Sequence, residues 1–438
     1  MTITYVVSPG LLLACVLALT ASVGMSEPRV VRGPLDPDLG APDAPIMIVE
    51  TLQGERLEGQ LVAAGPDGLE LQVQGGTHRI DADDLLLAWA AGQARDAADE
   101  APTPADLLFM TAEDGSSGGG DRLWGRLEGG TDFELLLRLE SDLTVEVPFD
   151  HVDRLLPAVD RPVDRLVALG GDGIDDRLWR RRPDGGLDGV TGVLARVADR
   201  NLVMESALGE LSFPADDVLA LVLAATEHPA RALDGLPVRV RLTGGSLFEA
   251  GLQEVRDEAL VFQTQFADEF AVPRERVVSM LFHSPGVRQL AEERPVEVAE
   301  WTAIGGPDAV LFPWRAGCSV SGLPLSVGNV LRTTGLGVHA NARLTYVVPE
   351  GIGALRVTAG LADEVRELPA EATVSFEILL DGEQVATTGL LREGDEPVDL
   401  RVESLKPGQR LQLVTLDGGD LDAGDRAAWV DGVFLPAR

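Results

Sequence analysis

The chain has 438 residues, of which 45% are hydrophobic, and 71 acidic against 36 basic residues give a formal net charge of −35 at pH 7. A charge of this sign repels nucleic acid and anionic lipid surfaces, which argues against both as partners. The apolar content is too high for a disordered chain, and the length predicts two to four domains.

The N-terminus begins with an apolar run, residues 5–24, that contains no charge and is followed by small residues up to Ser26. This pattern predicts a secretory signal peptide in residues 1–26, and hence a secreted, periplasmic or cell-envelope protein. Because no Lys or Arg precedes the run, an uncleaved anchor is the alternative, and it would be the only membrane contact. Residues 27–45 are rich in Pro, Asp and Gly and predict a linker.

A short ending recurs four times between residues 46 and 287: an apolar residue, a proline, a spacer, a carboxylate, a spacer and an aliphatic residue. The copies start at Val147, Phe213 and Val272, and the copy at Ile80 has aspartate in place of proline. A near-constant interval between copies indicates duplication of one structural unit. We predict repeats 1 to 4 at residues 46–92, 105–158, 163–224 and 236–287.

Each repeat alternates apolar and polar residues over short segments, which predicts strands rather than helices. In repeat 1, Asp67-Gly68 separates two such segments and is a typical hairpin turn. Four or five short strands in each repeat predict a row of small barrels similar to Sm or SH3 domains. A single four-bladed propeller is the alternative arrangement.

Two connecting segments carry unusual charge. Residues 177–182 (RLWRRR) form a basic run in an acidic protein, and we interpret it as a strand edge defended by charge, with a docking site for a partner as the alternative. Residues 288–300 are predicted to be a charged connector to the next domain.

The C-terminal region, residues 298–438, alternates in polarity almost without interruption, and Asp381-Gly382 and Pro407-Gly408 predict turns between its strands. Six motif segments occur along this region: residues 320–325 (VSGLPL), 335–340 (GLGVHA) with 344–346 (LTY), 357–364 (VTAGLADE), 375–378 (SFEI) with 381–383 (DGE), 411–414 (LQLV), and 425–429 (DRAAW). In content and order they resemble the NPCBM family of carbohydrate-binding modules. The resemblance implies a jelly-roll β-sandwich that binds glycans. No window of the chain shows a sustained 3.6-residue pattern, so the predicted fold class is all-β throughout.

One segment departs from the family pattern. The family tends to carry Asp-His-Ala-Asp-Trp before its last strand, whereas this chain has Asp425-Arg426-Ala427-Ala428-Trp429. A histidine and a carboxylate are thus replaced close to the edge where the resemblance places the ligand.

Carbohydrate recognition needs an aromatic face for the ring and hydrogen-bonding groups for the hydroxyls. We predict Trp429 as the platform, with His339, Arg343 and Asp425 supplying hydrogen bonds; Trp301 and Trp314 are secondary platform candidates. The alternatives are that Trp429 packs in the core, that His339 is structural, and that Arg343 pairs with a carboxylate such as Asp363.

The acidic loop at residues 417–425 suggests a structural calcium site on Asp417, Asp420 and Asp422, with a solvated acidic turn as the alternative. No histidine or cysteine pair has zinc-ligand spacing, and no nucleophile elbow, phosphate loop or dinucleotide fingerprint occurs. We therefore predict an exported, non-catalytic glycan-binding protein that requires no cofactor. A structural envelope protein whose sandwich no longer binds sugar, or an accessory subunit of a glycoside hydrolase, are the alternatives.

Overall fold

The computed structural model describes residues 45–91, 105–110, 121–140, 143–159, 174–182, 186–224, 231–302, 312–323, 325–368, 371–419 and 421–437. Within these residues the secondary structure consists of β-strands and short 3₁₀ helices, so the all-β prediction is confirmed. None of these residues belongs to a helix of the length and apolarity needed to cross a membrane. The predicted signal peptide and most of the linker lie outside the described residues.

The four repeats share one arrangement of five strands with a 3₁₀ helix before the last strand. Repeat 1 contains β1 Ile46–Thr51, β2 Arg56–Gly65, β3 Gly68–Val73, β4 Gly76–Asp81 and β5 Leu85–Ala90. Repeat 2 contains β6 Ala105–Met110, β7 Arg122–Gly130, β8 Glu134–Glu140, β9 Leu143–Pro148 and β10 Val152–Val159. Repeat 3 contains β11 Asp176–Arg181, β12 Leu187–Ala198, β13 Asn201–Ser206, β14 Gly209–Pro214 and β15 Val218–Val222. Repeat 4 contains β16 Leu236–Leu242, β17 Leu247–Val255, β18 Ala259–Thr264, β19 Phe270–Pro273 and β20 Val277–Phe282.

In every repeat the first strand pairs with the last, so the sheet curls back on itself as a small barrel. The second strand is long and bent: its first half pairs with the first strand and its second half with the third. A register shift marks the bend in all four copies, at Leu61, Leu127, Leu194 and Leu252. Such bulges increase twist and allow one strand to serve two sides of a barrel.

The recurring proline ends the fourth strand of its repeat. Pro148, Pro214 and Pro273 each lie immediately before the 3₁₀ helix, at φ between −60° and −54°. Proline fixes φ near this value and lacks an N–H group, so it ends the strand pairing without leaving an N–H group unpaired. Asp81 takes the same position in repeat 1, at φ −70°.

The repeats contact one another in the spatial order 1-4-2-3 rather than in chain order. Repeats 1 and 4 pair through their last strands, with Leu87 opposite Leu281. Repeats 2 and 3 do the same, with Leu155 opposite Leu221. Repeats 4 and 2 meet through the beginnings of β17 and β7. At each junction, therefore, a strand of one repeat pairs with the equivalent strand of the other repeat.

Two sheets form the C-terminal sandwich. The first has the order β23 Arg315–Ala316, β26 Gly335–His339, β33 Arg426–Pro436, β28 Ile352–Leu361, β31 Val398–Glu403, with β21 Arg288–Gln289 also on β33. The second has the order β22 Glu297–Glu300, β27 Ala342–Val347, β32 Arg410–Asp417, β29 Thr373–Leu380, β30 Glu383–Arg392. A hairpin of β24 Ser326–Val327 and β25 Val330–Leu331 and a 3₁₀ helix at Asp363–Glu367 complete it.

The segment at residues 288–300 is more than the predicted connector, because β21 and β22 each join one of the two sheets. Arg288 of β21 and Glu297 of β22 are exposed on these short strands, which gives the segment the composition of a linker. The predicted turn at Asp381-Gly382 is present, with φ of +52° and +88°, as a tight antiparallel hairpin of this type requires.

The sandwich is docked against the repeats. Glu50 of β1 is buried and accepts hydrogen bonds from Arg356 of β28 (Nη2 to Oε2, 2.8 Å) and from Arg56 (Nε to Oε2, 3.2 Å). Arg56 also pairs with Asp399 of β31 at 3.2 Å. An apolar cluster from both sides packs beside these ions: Leu52, Leu86, Leu87, Leu281, Ala354, Val433 and Leu435.

A second junction is built on a buried arginine. Arg241 of β16 donates from Nε and Nη2 to the carbonyl oxygen of Arg332 in the sandwich, at 3.0 and 2.8 Å. Burial lowers the pKa of Arg241 to about 9. Repeats and sandwich thus share polar as well as apolar contacts.

The basic run at residues 177–182 is not the predicted strand edge. It forms most of β11, which pairs with β12 on one side and β15 on the other. Arg180 is held by Asp188, at 2.9 Å from Nη2 to Oδ2. The basic side chains of this run therefore make local contacts within the sheet: Arg180 pairs with Asp188, and Arg177 lies over the Trp179 ring at 4.8 Å.

Candidate functional site

A pocket of about 220 Å³ lies at one end of the sandwich, where β26 turns into β27 and the loop from β32 to β33 passes beside it. We call it the rim pocket. Its walls come from four segments of the chain: Glu300, Trp301, Thr302, Phe312, His339, Ala340, Asn341, Asp422, Ala423 and Gly424.

Two aromatic side chains form part of the rim pocket. Trp301 follows β22 and is tied to the β26–β27 turn by paired backbone hydrogen bonds with Asn341, at 3.1 and 3.3 Å. Phe312 stacks on the imidazole of His339, with ring centroids 5.6 Å apart and planes inclined by 18°. Arg343 lies over the ring of Trp301 at 5.9 Å. The pocket therefore has aromatic walls held by defined neighbours.

His339 presents a hydrogen-bond acceptor to this pocket. Its Nδ1 lies 2.6 Å from the carbonyl oxygen of Ala340. A carbonyl oxygen only accepts, so Nδ1 carries the proton, and in the neutral ring Nε2 is left with a lone pair. Burial lowers the pKa of His339 below its usual 6.5, which keeps the ring neutral at pH 7.

The other polar residues of the pocket differ in role. Asn341 is structural: its amide donates to Asp417 Oδ2 at 3.0 Å, and its Oδ1 accepts from the Asp417 amide at 2.9 Å. Glu300 accepts at Oε1 from the backbone amide of Trp314 at 2.6 Å, and burial raises its pKa. With Asp422 and His339, it gives the pocket a set of groups that mostly accept hydrogen bonds.

Trp429 does not form the predicted platform. It is 1% exposed, meets Phe376 edge to face at a centroid distance of 4.9 Å, and donates from Nε1 to Thr415 Oγ1 at 3.0 Å. Its position on the inner side of β33 buries it between the two sheets. The prediction of an exposed ring was wrong, and the core-packing alternative describes its environment.

Asp425 is likewise buried rather than on the rim. Its Oδ1 accepts from the Thr373 amide at 3.0 Å, and its carbonyl accepts from the Ala340 amide at 3.1 Å. These bonds hold the β32–β33 loop against β29 and the β26–β27 turn. Asp425 thus shapes the pocket without reaching it.

Arg343 lies near the pocket through Trp301, but it does not pair with Asp363. That carboxylate instead accepts from Ser326 Oγ at 2.5 Å and from the Asn329 amide at 2.8 Å. Asp363 belongs to the base of the β24–β25 hairpin and is fully engaged there.

The departing positions of the family motif have distinct environments. Arg426 lies 4.6 Å over the ring of Phe312 and donates to Ser321 Oγ at 2.8 Å. Ala428 packs beneath the β24–β25 hairpin, against Leu325 and Val327. The first change therefore supports a pocket wall, and the second fills an apolar contact.

The predicted calcium ligands are not gathered around one point by the described residues, which contain no group of three His, Cys, Asp or Glu suited to a metal ion. Both carboxylate oxygens of Asp417 accept N–H bonds, from Asn341 and from the Gly419 amide. Asp422 lines the rim pocket, and Asp420 lies outside the described residues. A calcium site stays a prediction.

The two-sheet sandwich is the part of the chain that a known family model matches. The family model described as "NPCBM/NEW2 domain" matches residues 302–435, so the C-terminal third is assigned to this family. No curated protein sequence matches the chain.

Solved structures similar to the chain include carbohydrate-binding modules. One is the CBM51 module of Clostridium perfringens GH95 in complex with methyl-galactose, 22% identical, covering 34% of this chain and 99% of that one, with a TM-score of 0.30. Another is CBM51-2 with the INT domains of ZmpB from the same organism, in complex with GlcNAc, at 18% identity, 41% and 38% coverage, and TM-score 0.30. The tandem CBM51 modules of a Streptococcus pneumoniae family 98 glycoside hydrolase are 13% identical, with 59% and 88% coverage and TM-score 0.30.

Sequence reasoning found His339 and named Trp301 as a secondary candidate, but it missed Phe312 and Glu300. Phe312 lies in a segment without alternating polarity, and its role depends on stacking with a residue 27 positions later. The signal available was the cluster of aromatic residues between 301 and 314, a segment with no regular strand pattern.

Proposed function

We propose that the chain binds a glycan in the rim pocket. The observation that carries this proposal is the combination of aromatic walls, Trp301 and Phe312, with a neutral histidine acceptor and two carboxylates in one small pocket. Sugars present C–H faces that pack on aromatic rings and hydroxyl donors that need acceptors. The family match of the same domain supports this reading.

The pocket favours one neutral sugar residue over a long chain. Its volume of about 220 Å³ is below the range of about 300–1,000 Å³ usual for drug-sized ligands. The acceptor set of Glu300, Asp422 and His339 favours hydroxyl donors and disfavours anionic groups. We therefore infer recognition of a terminal, uncharged sugar residue by a weak, reversible contact.

We further propose that the protein is exported and acts without catalysis. The apolar N-terminal run supports export, and an extracellular or envelope location would bring the pocket to polysaccharides. Retaining and inverting glycosidases need two carboxyl groups across a sugar cleft, about 5–9.5 Å apart. In the rim pocket, Oε1 of Glu300 accepts from the Trp314 amide, which holds this carboxyl group in the pocket wall as a hydrogen-bonding group for a sugar hydroxyl.

A structural role is the second candidate, because the sandwich is docked firmly onto the repeats. The Glu50–Arg356 contact and the apolar cluster around Leu87 and Val433 hold it in one orientation. A domain that only tethers an enzyme to a glycan needs no such docking. In this reading the sandwich completes a rigid body, and the rim pocket has no ligand.

The test is a glycan array probed with the full chain and with the variants Trp301→Ala and His339→Ala. A binder gives a defined set of terminal-sugar signals that both variants lose. Phe133→Ala, which removes an aromatic ring that is 77% exposed in repeat 2, is the matched control and should bind as the wild type does. Absence of any wild-type signal would favour the structural role.

A further inference from the structure

The first half of β12, residues 187–192 in repeat 3, is an unpaired strand edge. On one side it pairs with β11 along its whole length, from Leu187 to Gly192. On the other side β13 joins only from Val193 onward. Among the described residues, no strand pairs with this edge. An open edge is a template for pairing with another strand, and proteins usually cover it.

The same edge is paired in repeats 2 and 4, where it joins one repeat to the other. The leucines at the bulge are equivalent positions in the repeats, so other residues can be compared by counting back from Leu127, Leu194 and Leu252. Five residues before the bulge stand Arg122 in β7 and Leu247 in β17, and these two residues face each other. Gly189 occupies this position in β12.

Two reciprocal hydrogen bonds frame the contact between repeats 2 and 4. The backbone amide of Glu249 donates to Asp121 Oδ1 at 2.7 Å, and the amide of Trp124 donates to Ser246 Oγ at 2.9 Å. In each bond the donor is the backbone amide three residues before the bulge of one repeat. The acceptor is the side chain six residues before the bulge of the other repeat. The contact therefore has local two-fold symmetry.

Repeat 3 carries the groups needed to make this contact with itself. Asp188 stands six residues before the bulge and Thr191 stands three before it. Arg180 donates twice to Asp188, and both bonds go to Oδ2, whereas Asp121 uses Oδ1 in the equivalent contact. Gly189 stands at the centre, and the Trp179 ring lies 3.2 Å from the position that a Cβ at this residue would take.

Exposed apolar side chains flank this edge. Leu187 is 48% exposed and Val193 is 56% exposed, both on the outer face of β12. The residue equivalent to Val193 in repeat 2 is Arg126, which is a typical surface residue. In repeat 1 the equivalent edge begins at Arg56, which pairs with Asp399 of the sandwich. Within the described part of the chain, repeat 3 is the one repeat whose edge is left uncovered.

We propose that two copies of this chain associate through β12, antiparallel across a two-fold axis at Gly189. Asp188 of each copy accepts from the Thr191 amide of the other, and Leu187 of each copy lies opposite Thr191 of the other. An identical patch on both partners gives a closed dimer, the commonest form of homo-oligomer. In this dimer β12 pairs with β12 of the other copy, just as equivalent strands pair at the junctions between repeats.

The large negative net charge determines how dimerisation should depend on salt. Two chains of −35 repel each other, and salt screens this repulsion over a Debye length of about 8 Å at physiological ionic strength. We expect the dimer to strengthen as salt is raised from low to physiological concentration, unlike a contact held by opposite charges.

The test is the molar mass of the full chain by analytical ultracentrifugation over a concentration series at physiological salt. The wild type is expected to dimerise, and Leu187→Arg, which places a charged side chain opposite Thr191 of the other copy, should weaken dimerisation at least tenfold with an unchanged melting temperature. Leu208→Lys alters a leucine that is 87% exposed in another turn of repeat 3 and should leave the dimer intact. A wild type that stays monomeric at its highest soluble concentration overturns the proposal.

A cross-linking variant locates the contact independently. Facing residues of an antiparallel pair lie about 4.5–5.5 Å apart between Cα atoms, within the range of a disulfide. With the axis at Gly189, Leu187 of one copy faces Thr191 of the other, so the double variant Leu187→Cys/Thr191→Cys should give a disulfide-linked dimer under mild oxidation, and Leu208→Cys should not. Equal cross-linking of both variants, or of neither while the wild type is dimeric, would place the contact elsewhere and refute the proposal.

Discussion

Replacing Trp429 by alanine separates a core role from a ligand-binding role. The ring is 1% exposed, packs edge to face on Phe376, and donates to the Thr415 hydroxyl. Truncating a buried tryptophan costs about 3–5 kcal/mol, and the loss of its donor leaves the buried Thr415 hydroxyl without this bond. For a domain of this size, that cost corresponds to a fall of about 10 °C or more in melting temperature.

Differential scanning calorimetry of the full chain measures this shift, with Trp301→Ala as the matched control. Trp301 lines the rim pocket, so its truncation should leave the transition in place while removing ligand binding. At 25 °C, the folded fraction of the Trp429→Ala protein should bind glycan with wild-type affinity. An unshifted transition together with lost binding in Trp429→Ala would refute the assignment of this ring to the core.

Two further predictions concern the docked interface and the rim pocket. Glu50→Gln leaves Arg356 without its buried charged partner and should lower the free energy of unfolding, measured with denaturant, by about 3–5 kcal/mol. The control Glu297→Gln breaks the exposed pair with Arg410 and should cost less than about 1 kcal/mol; equal costs would contradict a buried junction. Because burial lowers the pKa of His339, glycan affinity should be constant above pH 6.5 and fall as the pH drops through that lowered pKa, where Nε2 is protonated and stops accepting. The control is His339→Gln, which keeps a side-chain acceptor and does not titrate; the same acid limb in this variant would exclude the imidazole as its cause.

Local rules predicted most of the strands and turns. Alternation placed β1, β2 and β3, and the Asp381-Gly382 pair placed a tight hairpin. The recurring ending predicted four equivalent units; in three of them a proline fixes φ and removes a donor at the same place, and in repeat 1 Asp81 takes this position. These features depend on neighbours close in sequence, which is why they are readable from it.

Long-range arrangement was beyond those rules. The order 1-4-2-3 depends on which strand edges meet, and alternation does not encode which edge is chosen. The docking of Glu50 onto Arg356 joins residues 306 positions apart. Periodicity also left the burial of Trp429 open, since a ring at an alternating position faces either a core or a ligand groove.

The site was predicted in part for the same reason. His339 stood out through its motif, and Asp425 through its place beside the last strand, but only the folded chain separates a pocket residue from a buried one. Glu300 is the last residue of β22 and Phe312 lies shortly before β23, and no motif marks either of them. A site assembled from loops depends on packing between elements distant in sequence.

The central claim is that the rim pocket, rather than Trp429, binds sugar. Calorimetric titration of the full chain with the strongest array ligand tests it most directly, comparing wild type, Trp301→Ala and Phe133→Ala. We expect binding with one site per chain, a loss of about tenfold or more in affinity for Trp301→Ala, which is about 1.4 kcal/mol, and no change for Phe133→Ala. Wild-type affinity in Trp301→Ala would contradict sugar binding in the rim pocket.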